Sequence, residues 1–333
     1  MALDVRMTRR MSVGTRTYVR ELRERLPRVA PDLTVTPVGA GENFTLAEQI
    51  GLPRAIARAG ARAVHYPTTF APLLRMRPYV VTIHDLIHLR FPHLFGRATA
   101  LHYALVGIPL ARGATRLCMG DERTIADCER YLGVPAERCR VVPLGYDPAL
   151  LGREGDALFP ARPFFLYAGN HRPHKNLDVL YAAWASLPAE YAIDLRITGP
   201  DEPRVRARYT RVRGTITFVG DVAARDLRRL YRAALAYVHP ALLEGFGIPM
   251  LEAAVVGTPV IASATAVPTC VAPFAATFVP QDVGSLAGLL ERLLRDPAPF
   301  RAQVAEGAAT LRAYTWDRFA AATAAVYREV LEC

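Results

Sequence analysis

The chain has 333 residues, 51% hydrophobic and 22% charged, enough for two domains with full cores. No apolar run is long enough to span a bilayer, no secretory signal opens the sequence, and cysteines 118, 128, 139, 270 and 333 lack any paired metal spacing. This argues for a cytoplasmic protein with reduced cysteines, and its net charge of +10 is uneven, with 21 Arg against 13 acidic residues in 1–150 and 20 basic against 18 in 151–333. In chain order, strands are expected at residues 2–7, 33–38, 63–66, 79–83, 115–119 and 140–142. Helices are expected at 18–26, 46–59 (interrupted near Gly51-Leu-Pro53), 98–111 and 122–132, with a polar loop at 11–17 around Gly14. Strands alternating with helices argue for a doubly wound parallel sheet.

Residues 151–163 hold Pro and Gly without a period and read as a connector between an N-terminal domain (1–150) and a second domain (164–315). The second half repeats the pattern. Strands are expected at 164–168, 193–198, 216–219, 235–238, 259–262 and 276–279. Helices are expected at 177–187, 224–234, 249–256, 283–294, 300–311 and 316–330. The last is long enough to cross back and brace the first domain. No repeat of fixed period is present.

Two strand-to-helix loops carry the chemistry. His239-Pro-Ala-Leu-Leu-Glu-Gly-Phe-Gly-Ile-Pro-Met-Leu-Glu252 runs from a strand end into a helix with Pro in its first turn. Its glycines allow close backbone approach, and the helix N-terminus offers free N–H groups and a positive dipole end, a cradle for phosphate. Tyr167-Ala-Gly-Asn-His-Arg-Pro-His-Lys-Asn-Leu177 repeats the arrangement after another strand, with Arg172 and Lys175 adding charge. Of the 41 basic residues, 40 are Arg, and Lys175 is the only lysine. Arg replaces a compact ammonium poorly where a flexible stem must reach phosphate.

With Glu244-Gly-Phe-Gly-Ile-Pro-Met-Leu-Glu252, Gly169 through Leu177, and Thr82-Ile-His-Asp-Leu86, the chain resembles the family 4 glycosyltransferases. Gly257-Thr-Pro-Val260 and Tyr314-Thr-Trp-Asp-Arg318 also match. The resemblance spans nearly the whole sequence. It implies an α/β GT-B fold: two Rossmann-like domains facing across a cleft, with the C-terminal helix (316–333) returning to the first. It also implies a retaining transferase acting on a nucleoside-diphosphate sugar.

By the same resemblance, His84, Arg172, Lys175 and Glu244 form the catalytic set. Glu244 holds donor-sugar hydroxyls, Arg172 and Lys175 meet the departing diphosphate, and His84 contacts the donor sugar. Gly14, Gly169, Val219, Phe246, Gly247, Ile248, Leu251 and Glu252 bind the donor, with Glu252 on the ribose and the base over Phe218-Val-Gly-Asp221. Variations from the family pattern include Ala241 for the usual Ser and Asn170 for an Arg, which is why Arg172 takes that role. No Asp-x-Asp pair ends a strand, so no metal or cofactor is expected.

The expected partners are a GDP- or UDP-linked sugar and a glycan or lipid-linked acceptor. The Arg-rich start (Arg6, Arg9, Arg10, Arg16, Arg20, Arg23, Arg25) suits either a solvated surface or peripheral contact with an anionic inner membrane face. No nucleic-acid recognition motif accompanies it. His239 fits either packing or a place in the cleft, His88 and His93 read as surface, and Asp85 reads equally as a helix cap. A sugar-nucleotide epimerase and a non-catalytic nucleotide- or membrane-binding relative are the alternatives of other classes.

Overall fold

The computed structural model describes every residue except 7–11, 41, 43, 44, 46, 76, 77, 152–160, 211, 212 and 333. Arg9, Arg10, Cys333 and most of the expected 151–163 connector therefore lie outside the described residues. The chain divides into two compact units, residues 1–145 with 314–333, and residues 146–313.

The first unit is built on six parallel strands: β1 (Ala2–Asp4), β2 (Thr36–Val38), β3 (Val64–Tyr66), β4 (Tyr79–Thr82), β5 (Arg116–Met119) and β6 (Cys139–Val141). Their order is β2-β1-β3-β4-β5-β6. Every residue of β1, β3 and β4 is buried. Covered on both faces, such strands show continuous apolar runs rather than alternation.

The expected loop at 11–17 is corrected. A helix, Val13–Val29, begins there because Ser12 caps it, its Oγ accepting from the Thr15 amide at 3.1 Å. The 46–59 segment forms a π-helical turn, Ala47–Gly51, that runs directly into the helix Leu52–Arg58. Pro53 sits in that helix's first turn, where a missing N–H breaks nothing. The helices at 98–111 and 122–132 also contain π turns, at Tyr103–Gly107 and Cys128–Leu132.

The C-terminal helix Trp316–Glu332 packs on Val13–Val29 within this unit. Asp317 accepts from Arg25 and Arg28, and Glu329 accepts from Arg116 and Arg140. The buried Tyr327 hydroxyl meets His65 Nδ1 at 2.7 Å. Past β6, Gly145 presses on the backbone of Thr315 and Trp316; a Cβ there would stand 2.2 Å from the Trp316 nitrogen, so only glycine fits.

The second unit holds β7 (Phe164–Tyr167), β8 (Asp194–Ile197), β9 (Ile216–Phe218), β10 (Ala236–His239), β11 (Val260–Ser263) and β12 (Ala275–Phe278). All are parallel, in the order β12-β11-β10-β7-β8-β9. The strand predicted to stop at Val238 continues through His239. The sequence reading lacked the helix Pro203–Arg208, which has no apolar period to reveal it.

In this sheet the chain steps from β7 to β8 and β9 on one side and to β10, β11 and β12 on the other. The reversal lies between β7 and β10. In open α/β sheets, ligands bind outside the carboxyl ends of the strands at such a switch point. In the first sheet the corresponding place is between β1 and β3.

Candidate active site

The loops leaving β7 and β10 start side by side, since these strands pair directly. Three hydrogen bonds fasten the β10 loop to its neighbours. The Leu242 amide donates to the His174 carbonyl at 2.9 Å, Asn176 Nδ2 donates to the Pro240 carbonyl at 3.2 Å, and Thr265 Oγ1, after β11, donates to the Leu242 carbonyl at 2.7 Å. A 3₁₀ turn, Pro173–Lys175, directs Lys175 inward, and Asn176 at φ 54° starts the helix Leu177–Ala185.

Lys175 Nζ donates to Glu244 Oε1, and His239 Nε2 lies 2.9 Å from the same oxygen. The Lys175 and Glu244 side chains are only 10% and 15% exposed. Burial by itself would raise the Glu244 carboxyl. The Lys175 charge, helped by His239, outweighs it and holds Glu244 far below the usual carboxylate range. Glu244 is therefore an anion at every ordinary pH.

Gly247 starts the helix Ile248–Val255 at φ 73°, and a Cβ there would stand 2.2 Å from Met250 Cε. The left-handed φ calls for glycine, whereas the flexible end of Met250 could swing aside. Phe246 is buried, Ile248 is half-buried, and Leu251 is wholly buried in the core. Glu252 lies one turn into the helix, where its Oε2 accepts from the Tyr231 hydroxyl at 3.1 Å. Burial pushes its carboxyl up to about 7. The two glutamates thus occupy opposite environments, one clamped ionised and one close to half-protonated at neutrality.

The structure gathers Lys175 and Glu244, and sets Glu252 in the helix that the Glu244 loop begins. Arg172 stands apart: its side chain is exposed, and its amide donates to Asn170 Oδ1 at 3.2 Å. Gly169 packs under Tyr167, with its amide donating to Thr198 Oγ1 at 3.0 Å. Val219 follows the edge strand β9, two strands from β7, with its amide donating to the Ile197 carbonyl at 2.9 Å.

In the first unit, His84 is half-buried after β4. Its Nε2 lies 2.9 Å from the Pro67 carbonyl, Tyr18 meets its ring edge-on at 5.0 Å, and burial lowers its basicity. Gly14 is exposed in the first turn of a helix rather than in a loop. Asp85 stands one residue before Leu86, the N-cap of the short helix Ile87–Arg90, and its Oδ1 accepts from the Ile87 amide at 3.1 Å. His93 is exposed, whereas His88, expected at the surface, is half-buried with its ring centroid 4.2 Å from that of Phe95.

Arg6 is a larger correction. Assigned to a basic surface, it is wholly buried, with Asp4 and Glu48 as ion partners. Among the described residues no group of three or more His, Cys, Asp or Glu side chains is placed to hold a metal. The sequence reading left His239 open between packing and the cleft, and left Tyr237 and Tyr231 out of the site. For the first two a signal existed, because residues 237 and 239 share one face of a strand.

Two doubly wound parallel sheets are the architecture of a GT-B glycosyltransferase. Sucrose-phosphate synthase from Thermosynechococcus elongatus has this fold, with a TM-score of 0.78 at 20% identity over 100% of this chain and 99% of that one. Residues 10–150 match the profile of Glycosyltransferase Family 4, and residues 153–310 that of Glycosyl transferases group 1.

The chain belongs to glycosyltransferase family 4. It is 26% identical over 282 residues to O-antigen chain mannosyltransferase B of Escherichia coli, 79% of this chain and 73% of that protein. It is 29% identical over 234 residues to the MMP alpha-(1->4)-mannosyltransferase of Mycolicibacterium hassiacum, 67% of this chain and 56% of that protein.

Proposed function

We propose that this transferase moves a hexose from a nucleoside-diphosphate sugar to a glycan, lipid-linked or small-molecule acceptor, with retention and without a metal. Mannose from GDP-mannose is the first candidate, because both relatives are named mannosyltransferases; UDP-linked hexoses come next. The observation that carries this reading is the Lys175–Glu244 pair at the switch point of the second sheet.

An ammonium has three N–H donors, and the contact with Glu244 uses one. The others suit a diphosphate held over the N-termini of the helices 177–185 and 248–255, where the dipoles favour negative charge. Such preorganised donors lower the barrier to departure of the diphosphate as its charge grows. An ionised Glu244 accepts from sugar hydroxyls, and Glu252 suits the two hydroxyls of a ribose. No protein nucleophile is assigned.

Peripheral membrane contact has its own support. Among the described residues, Val13, Ile50, Leu73, Leu74, Leu101, Leu105 and Val141 of the first unit are exposed large apolar side chains, against Val279 in the second. No described helix is long and apolar enough to cross a membrane.

The test is a thermal-shift screen with UDP, GDP, ADP and dTDP, followed by transfer assays with sugars linked to the best base. Stabilisation by one of them and transfer from its sugar conjugate are expected. Isomerisation of the nucleotide sugar without an acceptor, or binding without transfer across a broad acceptor panel, would overturn the reading.

A further inference from the structure

Counting protons behind Glu244 leads to a role for His239, the residue that opens the strand-to-helix stretch. Tyr237 Oη lies 3.0 Å from the Ala168 carbonyl and 2.8 Å from His239 Nδ1. His239 Nε2 lies 2.9 Å from Glu244 Oε1. The carbonyl only accepts, an ionised Glu244 only accepts, and a tyrosine hydroxyl has one proton.

If Tyr237 donates to Ala168, then both His239 nitrogens must donate, and the ring is a cation. If His239 is neutral, Tyr237 turns its proton to Nδ1. In both cases Nε2–H points at Glu244. The ring is held for this purpose: His239 is 1% exposed, and the Tyr167 ring of β7 stacks on it with centroids 6.1 Å apart. Tyr237 from its own strand, Tyr167 from β7, Lys175 from the β7 loop and Glu244 from the β10 loop are the titratable groups that face it. Burial favours the neutral ring, and Glu244 favours the cation.

We propose that His239 is a positioning residue: its Nε2–H holds the Glu244 carboxylate in place while the Lys175 ammonium turns toward the donor diphosphate, and the Tyr237 hydroxyl supplies or accepts the hydrogen bond at Nδ1. The turn of Lys175 rests on the transfer reading above. The His239–Glu244 hold does not.

The test uses three variants and the fact that Lys175 is the only lysine, so that selective ¹³C-lysine labelling gives one ε-methylene signal. In His239→Gln the amide nitrogen stands where Nε2 stood; the Lys175 signal and most of the transfer should persist. In His239→Leu the signal should move, and kcat should fall about 10–100-fold, the scale seen when the hydrogen-bond partner behind a metal ligand is lost, with the donor KM changed less. In Tyr237→Phe the Lys175 signal should also move, by less than in His239→Leu.

If His239→Leu fails to fold, His239→Asn, whose shorter amide does not reach Glu244, takes its place. A Lys175 signal and kcat equal to wild type in the Leu or Asn variant would overturn the proposal, as would a folded His239→Gln as impaired as either. If wild type transfers no sugar, the functional reading falls, and the Lys175 signals of the variants still decide the role of His239.

Discussion

The two sheets are both six-stranded and parallel, differ in strand order, and treat their switch points in opposite ways. At the first, the molecule fills the place with its own charges. Arg6 lies with Nε and Nη2 on Asp4, at 2.9 and 2.7 Å, and Nη1 on Glu48 at 2.9 Å, with a further contact from Nη2 to the Phe70 carbonyl at 3.2 Å. The Arg6, Asp4 and Glu48 side chains are 0%, 1% and 3% exposed. At the second, Lys175 and Glu244 retain 10% and 15% exposure. A guanidinium fork locked on two carboxylates is framework. A single ammonium with donors to spare, opposite one carboxylate at the rim, can exchange partners. Position at a switch point therefore does not make a site; solvent access and unused donors do.

The contrast can be broken from either side. Arg6→Met should have the largest effect on stability, about 3–5 kcal/mol in chemical denaturation, because it takes the cationic partner from two buried carboxylates. Nucleotide binding by whatever protein remains folded should be unchanged. A small loss would show that the triad is not structural.

Lys175→Ala should do the reverse. Transfer should fall roughly 10²–10³-fold, the effect of removing one preorganised donor, in a protein that still melts cooperatively. Unimpaired turnover would remove Lys175 from the site.

Glu252→Gln tests the subtler contrast within the second unit. The Glu252 carboxyl stands at about 7 in the fold against an ordinary 4.5, so the folded state binds more protons between those values. Its contribution to stability is therefore greatest below pH 4.5, declines as pH rises to 7, and is flat above. At about 1.4 kcal/mol per pKa unit, the cost at pH 8 is on the order of 3 kcal/mol at most. Urea unfolding at pH 5 and pH 8 should show a smaller difference in the Gln variant than in wild type. Glu244 has the opposite sign, adding stability that is lost as acid approaches its lowered value.

Much of this was legible in the residues. Doubly covered strands show as apolar runs, and Gly245, Gly247 and Pro249 mark a strand-to-helix turn, so Lys175, Glu244 and Glu252 could be placed before any coordinates. Two of the misses share a cause: they depend on contacts between distant segments. Nothing local tells that Arg6 meets Glu48, 42 residues on, or that Tyr231 reaches Glu252, 21 residues on. Nor does a 3.6-residue period distinguish an α-helix from one that widens for a turn, as at 103–107. Ser12 was the overlooked local signal, a capping residue that converts an expected loop into a helix start.

Gly145 has one more implication. The chain quits the first unit at residue 145 and rejoins it at 314, and a Cβ at Gly145 would run into the backbone of Thr315 and Trp316 in the returning segment. Topologically, residues 146–313 are an insertion whose two ends meet at a single seam. A short splice joining residue 145 to residue 314 would remove the inserted lobe and leave both termini in the unit that remains.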